Sequence, residues 1–428
     1  VLTAFFRAFR TPDLRRKLLF TGAMIVLFRL GSTVPGPGVS THAVQACLSV
    51  DSSQSVYQLV NLFSGGALLQ LSVFALGIMP YITSSIIIQL LVVVIPRLET
   101  LKNEGAAGEA KLTQYTRYLT VGLAILQSTA IVALARSGEL FSGCSSKVIP
   151  NSSIFRIATL VICLTAGTAV IMWLGENITS HGIGNGMSLL IFTSIAARLP
   201  SQGESILKVS GVPLFVLVCL LGLGIVVFVV FIEQAQRRIP VQYAKRVIGR
   251  RTYGGTSTYI PLKINQAGVI PVIFAASLLQ LPSLLSRIWT GRGFTEFYDR
   301  FFANQDTPLY LLLYFALVLF FTYFYVAITF NPTEQADNMK KYGGFIPGIR
   351  PGRPTAEYLD RVLSRITLPG ATFLGIIVII PIALLGILKG DTFPFGGTAV
   401  LILVGVGLEF VKQVESQLML RNYEGFLR

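Results

Sequence analysis

Ten apolar runs of about 17–23 residues divide this chain, and that pattern leaves few folds open. They cover residues 18–34, 73–95, 118–135, 154–174, 183–199, 213–232, 267–286, 309–330, 366–388 and 395–411. A helix of this length crosses a hydrocarbon layer of about 30 Å. Backbone amides left unpaired in lipid are costly, so spans this long and irregularly spaced specify a helical bundle rather than a barrel. Of 428 residues, 53% are hydrophobic and only 13% charged, too little charge to cover a soluble domain. The expected fold class is an all-α integral membrane protein with ten transmembrane helices.

Lys and Arg set its orientation. With the N-terminus inside, inward-facing segments hold 25 of the 35 basic residues, while outward loops and helix ends hold 8. That asymmetry puts both termini in the cytoplasm, and the net charge of +15 becomes a cytoplasmic basic face. Arg29 and Arg156 fall inside spans; Arg29 is expected to pack against protein or reach toward an interface. Cys163 and Cys219 lie within spans as small apolar core residues. Cys47 and Cys144 fall in the first two outward loops, on the oxidising side. A disulfide between them is expected, the alternative being two unrelated thiols on one side.

Two spans echo each other. Gly77-Ile78-Met79-Pro80-Tyr81-Ile82 with Gln89, and Gly268-Val269-Ile270-Pro271-Val272-Ile273 with Gln280, place proline at +3, isoleucine at +5 and glutamine at +12 from each glycine. This points to a duplicated membrane protein with its functional site between the repeats, near mid-membrane. Ile78 and Ile82 share a helix face, and Ile273 is the repeat partner of Ile82.

From residue 56 to 95 the chain is apolar for longer than one span needs, but Gly65-Gly66 breaks the run. We expect a short half-helix over 61–71 that folds back into the protein, then a full span; a surface amphipathic helix is the alternative. Irregular backbone at membrane depth needs protein or a water-filled cavity around it, so a pore is expected here. Gly182-Ile183-Gly184-Asn185-Gly186 is followed by a membrane span and preceded by no strand, which argues against a phosphate loop and for a close-packed approach to the fifth helix.

Two inward loops exceed 30 residues. Residues 233–266 contain Arg237, Arg238, Lys245, Arg246, Arg250 and Arg251, while 331–365 contain Arg350 and Arg353 in a Pro/Gly-rich run. Scattered basic residues serve orientation and lipid headgroups. Long stiffened loops suggest docking of a large acidic partner, such as ribosomal RNA or a motor protein. No nucleotide, metal, cofactor or nucleophile motif is present, so neither an enzyme nor a cofactor is expected. Glu176, Glu233 and Glu409 fall at or beyond span ends, which disfavours the alternative of an inverted-repeat secondary solute transporter with intramembrane carboxylates.

Several motifs resemble the SecY family: Phe63-Ser64-Gly65-Gly66-Ala67-Leu68, Ala75 to Ile82, Met172-Trp173-Leu174-Gly175-Glu176, Gly182 to Gly186, Tyr243-Ala244-Lys245-Arg246, Ala267 to Pro271, Phe345 to Gly352 and Phe395-Gly396-Gly397-Thr398. The resemblance runs from near residue 14 to near residue 424. It implies a protein-conducting channel of two inverted, pseudo-symmetric five-helix halves, residues 1–212 and 213–428, hinged like a clamshell. It implies a pore ring of Ile78, Ile82, Met187, Ile191, Ile273 and Ile402, with Met187 a compliant replacement for isoleucine. It assigns 61–71, including Asn61, Phe63, Ser64, Gly65, Gly66 and Leu71, to a plug. Thr83, Gln127, Asn265 and Leu281 become lateral-gate positions; the three polar ones are expected either to hydrogen-bond across the closed seam or to be satisfied locally. The resemblance also implies SecE-like and SecG-like small subunits, a SecA-like ATPase or ribosome on the basic loops, signal-bearing polypeptides as cargo, membrane lipid at the gate, and residence in the cytoplasmic membrane.

Overall fold

A computed structural model describes residues 9–44, 64–137, 148–149, 153–243, 246–248, 251–253, 257–288, 307–388 and 397–426. The expected Cys47–Cys144 bond and plug residues Asn61 and Phe63 lie outside these residues, as do Lys245 and Arg250. Ten helices carry the ten apolar runs: α1 (Pro12–Thr33), α2 (Met79–Val94), α4 (Ala106–Ser137), α5 (Ile154–His181), α6 (Gly186–Ala196), α7 (Leu199–Gln234), α8 (Ile270–Ile288), α9 (Pro308–Thr329), α11 (Arg353–Leu388) and α12 (Gly397–Phe426). Two short polar helices join them, α3 (Pro96–Asn103) and α10 (Pro332–Lys341). Eight of these helices open on a proline in their first turn, where its missing N–H leaves no bond unmade and its φ already suits a helix.

Among the described residues, five helices are alone long and apolar enough to span a membrane, and α2 with α3, bent by 101°, makes a sixth. Ile95, extended before Pro96, makes that bend, since proline disfavours the helical region for the residue ahead of it. α7 is two helices broken at Gly211, whose φ of 77° precedes Pro213. The break falls where the sequence divides into its expected halves.

Two boundaries correct the sequence expectation. The span expected from residue 73 begins as helix only at Met79, because Gly77 adopts φ 57° just ahead of it. The half-helix expected over 61–71 is, from Ser64 onward, a succession of turns. Gly65 at φ 66°, Gly66 at 98° and Leu71 at 44° are left-handed, and such residues interrupt a right-handed helix. The turns are closed by Ala67 N–H to Ser64 O, Leu68 N–H to Ser64 Oγ and Leu71 N–H to Leu68 O.

One apolar core joins the helices, with Phe28, Ile78, Leu190, Val272, Tyr314, Leu374 and Leu401 buried in it. A second cluster gathers Leu68, Leu71, Ala75 and Leu76 against α4 and α5. The long basic loops contain strands that the apolar pattern did not signal. β1 (Gln236–Tyr243) pairs antiparallel with β4 (Ser257–Lys263), from Gln236↔Lys263 to Gln242↔Ser257. Short β2 (Arg246–Ile248) and β3 (Arg251–Tyr253) pair antiparallel as a separate two-stranded sheet. β5 (Gly344–Phe345), from the other loop, adds to β1 at Gln242 and Tyr243, giving the order β4-β1-β5. Ile239, Leu262, Ile346, Leu359 and Val362 form a separate core that fixes this platform to α11.

Candidate functional site

The two echoed stretches form the same joint. Gly77 and Gly268 have φ 57° and 61°. After Gly77, the N–H groups of Tyr81 and Ile82 both donate to Ile78 O; after Gly268, those of Val272 and Ile273 both donate to Val269 O. Four residues before each glycine, Val73 N–H donates to Val34 O and Ile264 N–H to Ala235 O, at 2.9 and 3.0 Å. Val34 and Ala235 are the C-caps of α1 and α7. The carbonyls of Val73 and Ile264 rest on Gly167 of α5 and Gly370 of α11, where a Cβ would overlap each oxygen. The likeness thus extends from sequence to backbone bonds and to the helix behind each turn.

The six ring candidates come together. Ile78, Ile191, Ile273 and Ile402 are buried in the central cluster, and Ile82 and Met187 pack against it partly exposed. Met187 Sδ lies over Gly175 of α5. Asn185 caps α6 by accepting from the N–H groups of Met187 and Ser188, which starts the helix so that Met187 and Ile191 share its face. Gly186 lies against the Gly175 carbonyl, leaving no room for a Cβ. The glycine run is therefore a close-packed approach, as its sequence suggested.

Two cavities converge on these side chains. The larger of the two, about 720 Å³, is lined by Ile82, Met187, Ile191 and Ile273 together with Tyr81, Arg117, Trp173 and Glu176. The second, about 510 Å³, is lined by Ile191, Ile273 and Ile402 together with Glu233, Lys263, Glu409 and Lys412. Both include Asn185, Ser188, Ile191, Ile270 and Ile273. The aliphatic side chains of Ile191 and Ile273 are thus shared between two cavities of mixed polar and apolar lining. Ile78 lines neither cavity and is enclosed at 2% exposure.

The glycine pair of the turn segment faces two cations. Arg29 Nη1 donates to Gly65 O at 3.3 Å, so Arg29 packs against protein. The Arg198 guanidinium occupies the space a Cβ of Gly66 would need. Ser72 pairs with Pro35 as an isolated bridge, and Gly36 N–H donates to Leu71 O, tying the segment to the loop after α1.

The polar gate candidates differ in how they are bonded. Thr83 Oγ1 donates to Met79 O in its own helix. Asn265, 3% exposed, donates through Nδ2 to Glu233 Oε1 at 2.6 Å and to Gly268 O at 3.2 Å. A carboxylate and a carbonyl only accept, which fixes the amide nitrogen toward them. Its buried Oδ1 has no partner among the described residues. Gln127 is half-buried on α4, and Leu281 lies on α8.

Sequence reasoning missed one strong pair. Arg117 of α4 grips Glu176 of α5 through Nε–Oε1 and Nη2–Oε2 bonds, both 2.8 Å. Two-pronged pairing of this kind fixes relative orientation as well as distance. Opposite charges at the same membrane level of adjacent spans were the available signal.

The basic residues of the two loops share the platform. Arg237 and Arg238 are exposed on β1, and Arg238 lies 4.9 Å over the Tyr259 ring of β4. Arg246 and Arg251 occupy β2 and β3. Arg350 is exposed between left-handed Gly348 and Gly352, and its carbonyl accepts from Thr355 Oγ1. Arg353 pairs with Glu357 at 3.0 Å in the open. Among the described residues, no group of acidic, His or Cys side chains is arranged to hold a metal.

Fold and site together define a multi-pass helical membrane protein with a repeated joint around a buried aliphatic cluster. The family model of SecY matches residues 72–411. Protein translocase subunit SecY of Streptomyces galbus is 62% identical, with the whole of both chains covered; its counterpart from Mycobacterium bovis is 58% identical, again over both full chains. The chain belongs to the SecY family. A solved protein conducting channel shares the fold at TM-score 0.64 and 19% identity, covering 94% of this chain and 91% of its own. Sec61 of the canine ribosome-channel complex does so at TM-score 0.61 and 18% identity, with the same coverage.

Proposed function

We propose that this chain is the conducting subunit of a protein translocase, passing unfolded secretory polypeptides across the cytoplasmic membrane and releasing hydrophobic segments sideways into lipid. One observation carries the reading: Ile78, Ile82, Met187, Ile191, Ile273 and Ile402, from both echoed stretches and from α6 and α12, meet in one apolar cluster, and all but Ile78 line one or both of two adjoining cavities. A polypeptide in transit presents every kind of side chain, so a lining that binds none tightly lets it move. A narrow aliphatic neck also dewets and resists ions. A solute transporter would instead place its binding polar groups at this point.

The repeated joint supports two inverted halves, 1–212 and 213–428, opening about the seam between α2 and α8. Thr83, Gln127, Asn265 and Leu281 belong to that lateral gate, and the turn segment within 61–71 acts as the plug. The platform, with Arg350 and the arginines of β1, β2 and β3, docks a SecA-like ATPase or a ribosome. The ribosome-bound state of the canine relative supports the latter. The partner supplies the energy, and this chain is not a catalyst. SecE-like and SecG-like subunits complete the complex, and both termini face the cytoplasm.

The test is reconstitution with SecE and SecA, measuring ATP-dependent uptake of a signal-bearing precursor. Uptake that stops when ATP is withheld is expected; none under any condition would refute the reading. In the same vesicles, Ile82→Gly combined with Ile273→Gly should raise resting ion conductance severalfold. Conductance equal to wild type would remove the ring.

A further inference from the structure

A buried polar contact joins the base of the platform to the start of α8. α7 ends at Gln234, β1 starts at Gln236, β4 ends at Lys263 and α8 starts at Ile270. The ribbon's base is closed by Ile264 N–H to Ala235 O, and Gly370 of α11 is wedged against Ile264 O. The platform is therefore mounted firmly on α11. From that base, Asn265 reaches both ways: to the Glu233 carboxyl group on α7, and to the carbonyl of Gly268 in the left-handed turn that starts α8. Both bonds come from one amide nitrogen, while its oxygen is buried and idle.

We propose that Glu233 is a positioning residue: with Asn265 it forms a strut that holds the Gly268 turn, and through it α8 and Ile273, in register with the platform. A displacement of the ribbon base moves Ala235 and Ile264 against Glu233. The amide must follow, or exchange Glu233 for another acceptor, and either outcome shifts the start of α8. At 2.6 Å the bond to Glu233 is shorter than the 3.2 Å bond to Gly268, so this link dominates the local geometry. Its consequence for the gate rests on the channel reading above, but the geometric claim does not.

The experiment measures the distance between α2 and α8 by pulsed electron resonance in nanodiscs of the SecE-containing complex. Nitroxides on non-natural ketone side chains at positions 85 and 277 leave the native cysteines untouched. Glu233→Ala should move the conformer ratio about tenfold toward separated helices, the effect of losing one hydrogen bond. Glu233→Gln, which keeps an acceptor, should stay close to wild type, and Glu409→Ala, which removes the other carboxylate of the cavity, should change nothing. A wild-type distribution in Glu233→Ala overturns the strut. So does Glu233→Gln behaving like alanine, since charge rather than the hydrogen bond would then be responsible. If transport fails in every sample while these distances shift as expected, the strut stands and the channel reading falls.

Discussion

The joint at Gly77 and the joint at Gly268 share a backbone and differ in what holds them. Three residues before Gly77 stands Phe74, stacked on Phe28 of α1 with ring centres 6.0 Å apart and lying on Gly31. The corresponding residue before Gly268 is Asn265, bonded to Glu233 of α7. Ahead of the first joint, Leu68, Leu71, Ala75 and Leu76 are almost wholly buried. Ahead of the second runs the platform. Apolar burial is non-directional, so a greasy segment can leave and reseat without one required geometry. A hydrogen bond is directional and passes on a displacement. The first joint suits a segment that moves out of the way, and the second suits one that relays a push.

Charge reversal on the platform separates the two most strongly. Arg350→Glu should abolish ATP-driven precursor uptake while resting ion conductance stays at the wild-type value. A rise in leak would mean that the joints are not separable. Next in size is Phe74→Ala, expected to lower stability by about 3–5 kcal/mol because it empties a packed aromatic site. Thermal unfolding in detergent reads it, and a loss below that of any exposed position would show that the first joint is not held by this ring. Gly167→Ala and Gly370→Ala each force a backbone carbonyl aside, at about 1–3 kcal/mol. Similar losses at the two sites would extend the likeness of the joints, whereas one neutral substitution would break it. The smallest effect belongs to Gly268→Ala. Its Cβ meets nothing within 4 Å, so only the left-handed backbone is penalised, by roughly 1–2 kcal/mol. A larger loss would place an unseen contact at that turn.

Much of the site was visible in one dimension because its signals are local. Gly77 and Gly268 announce their turns by residue type, and Pro80 and Pro271 follow at the spacing that starts a helix. Ile82 and Ile273 follow from the same count. The half-helix expectation failed at Gly65-Gly66 because an apolar run reports burial and not backbone handedness. Asn265 could be marked as polar near a gate, but its choice of Glu233 over the seam depended on where α7 ended. Arg117 and Glu176 stand 59 residues apart, and nothing local joins them.

By itself, the sequence determined which segments are apolar and helical, which two of them repeat, and which loops carry the basic residues. Hydropathy and glycine or proline conformations are properties of short stretches, so they survive reading in one dimension. Only the tertiary structure decided that the loops holding Arg237 and Arg350 build one sheet, that the second joint is polar, and that Arg117 binds Glu176. Each of these is a pairing between distant residues, fixed by helix packing that directional bonds complete but do not encode locally.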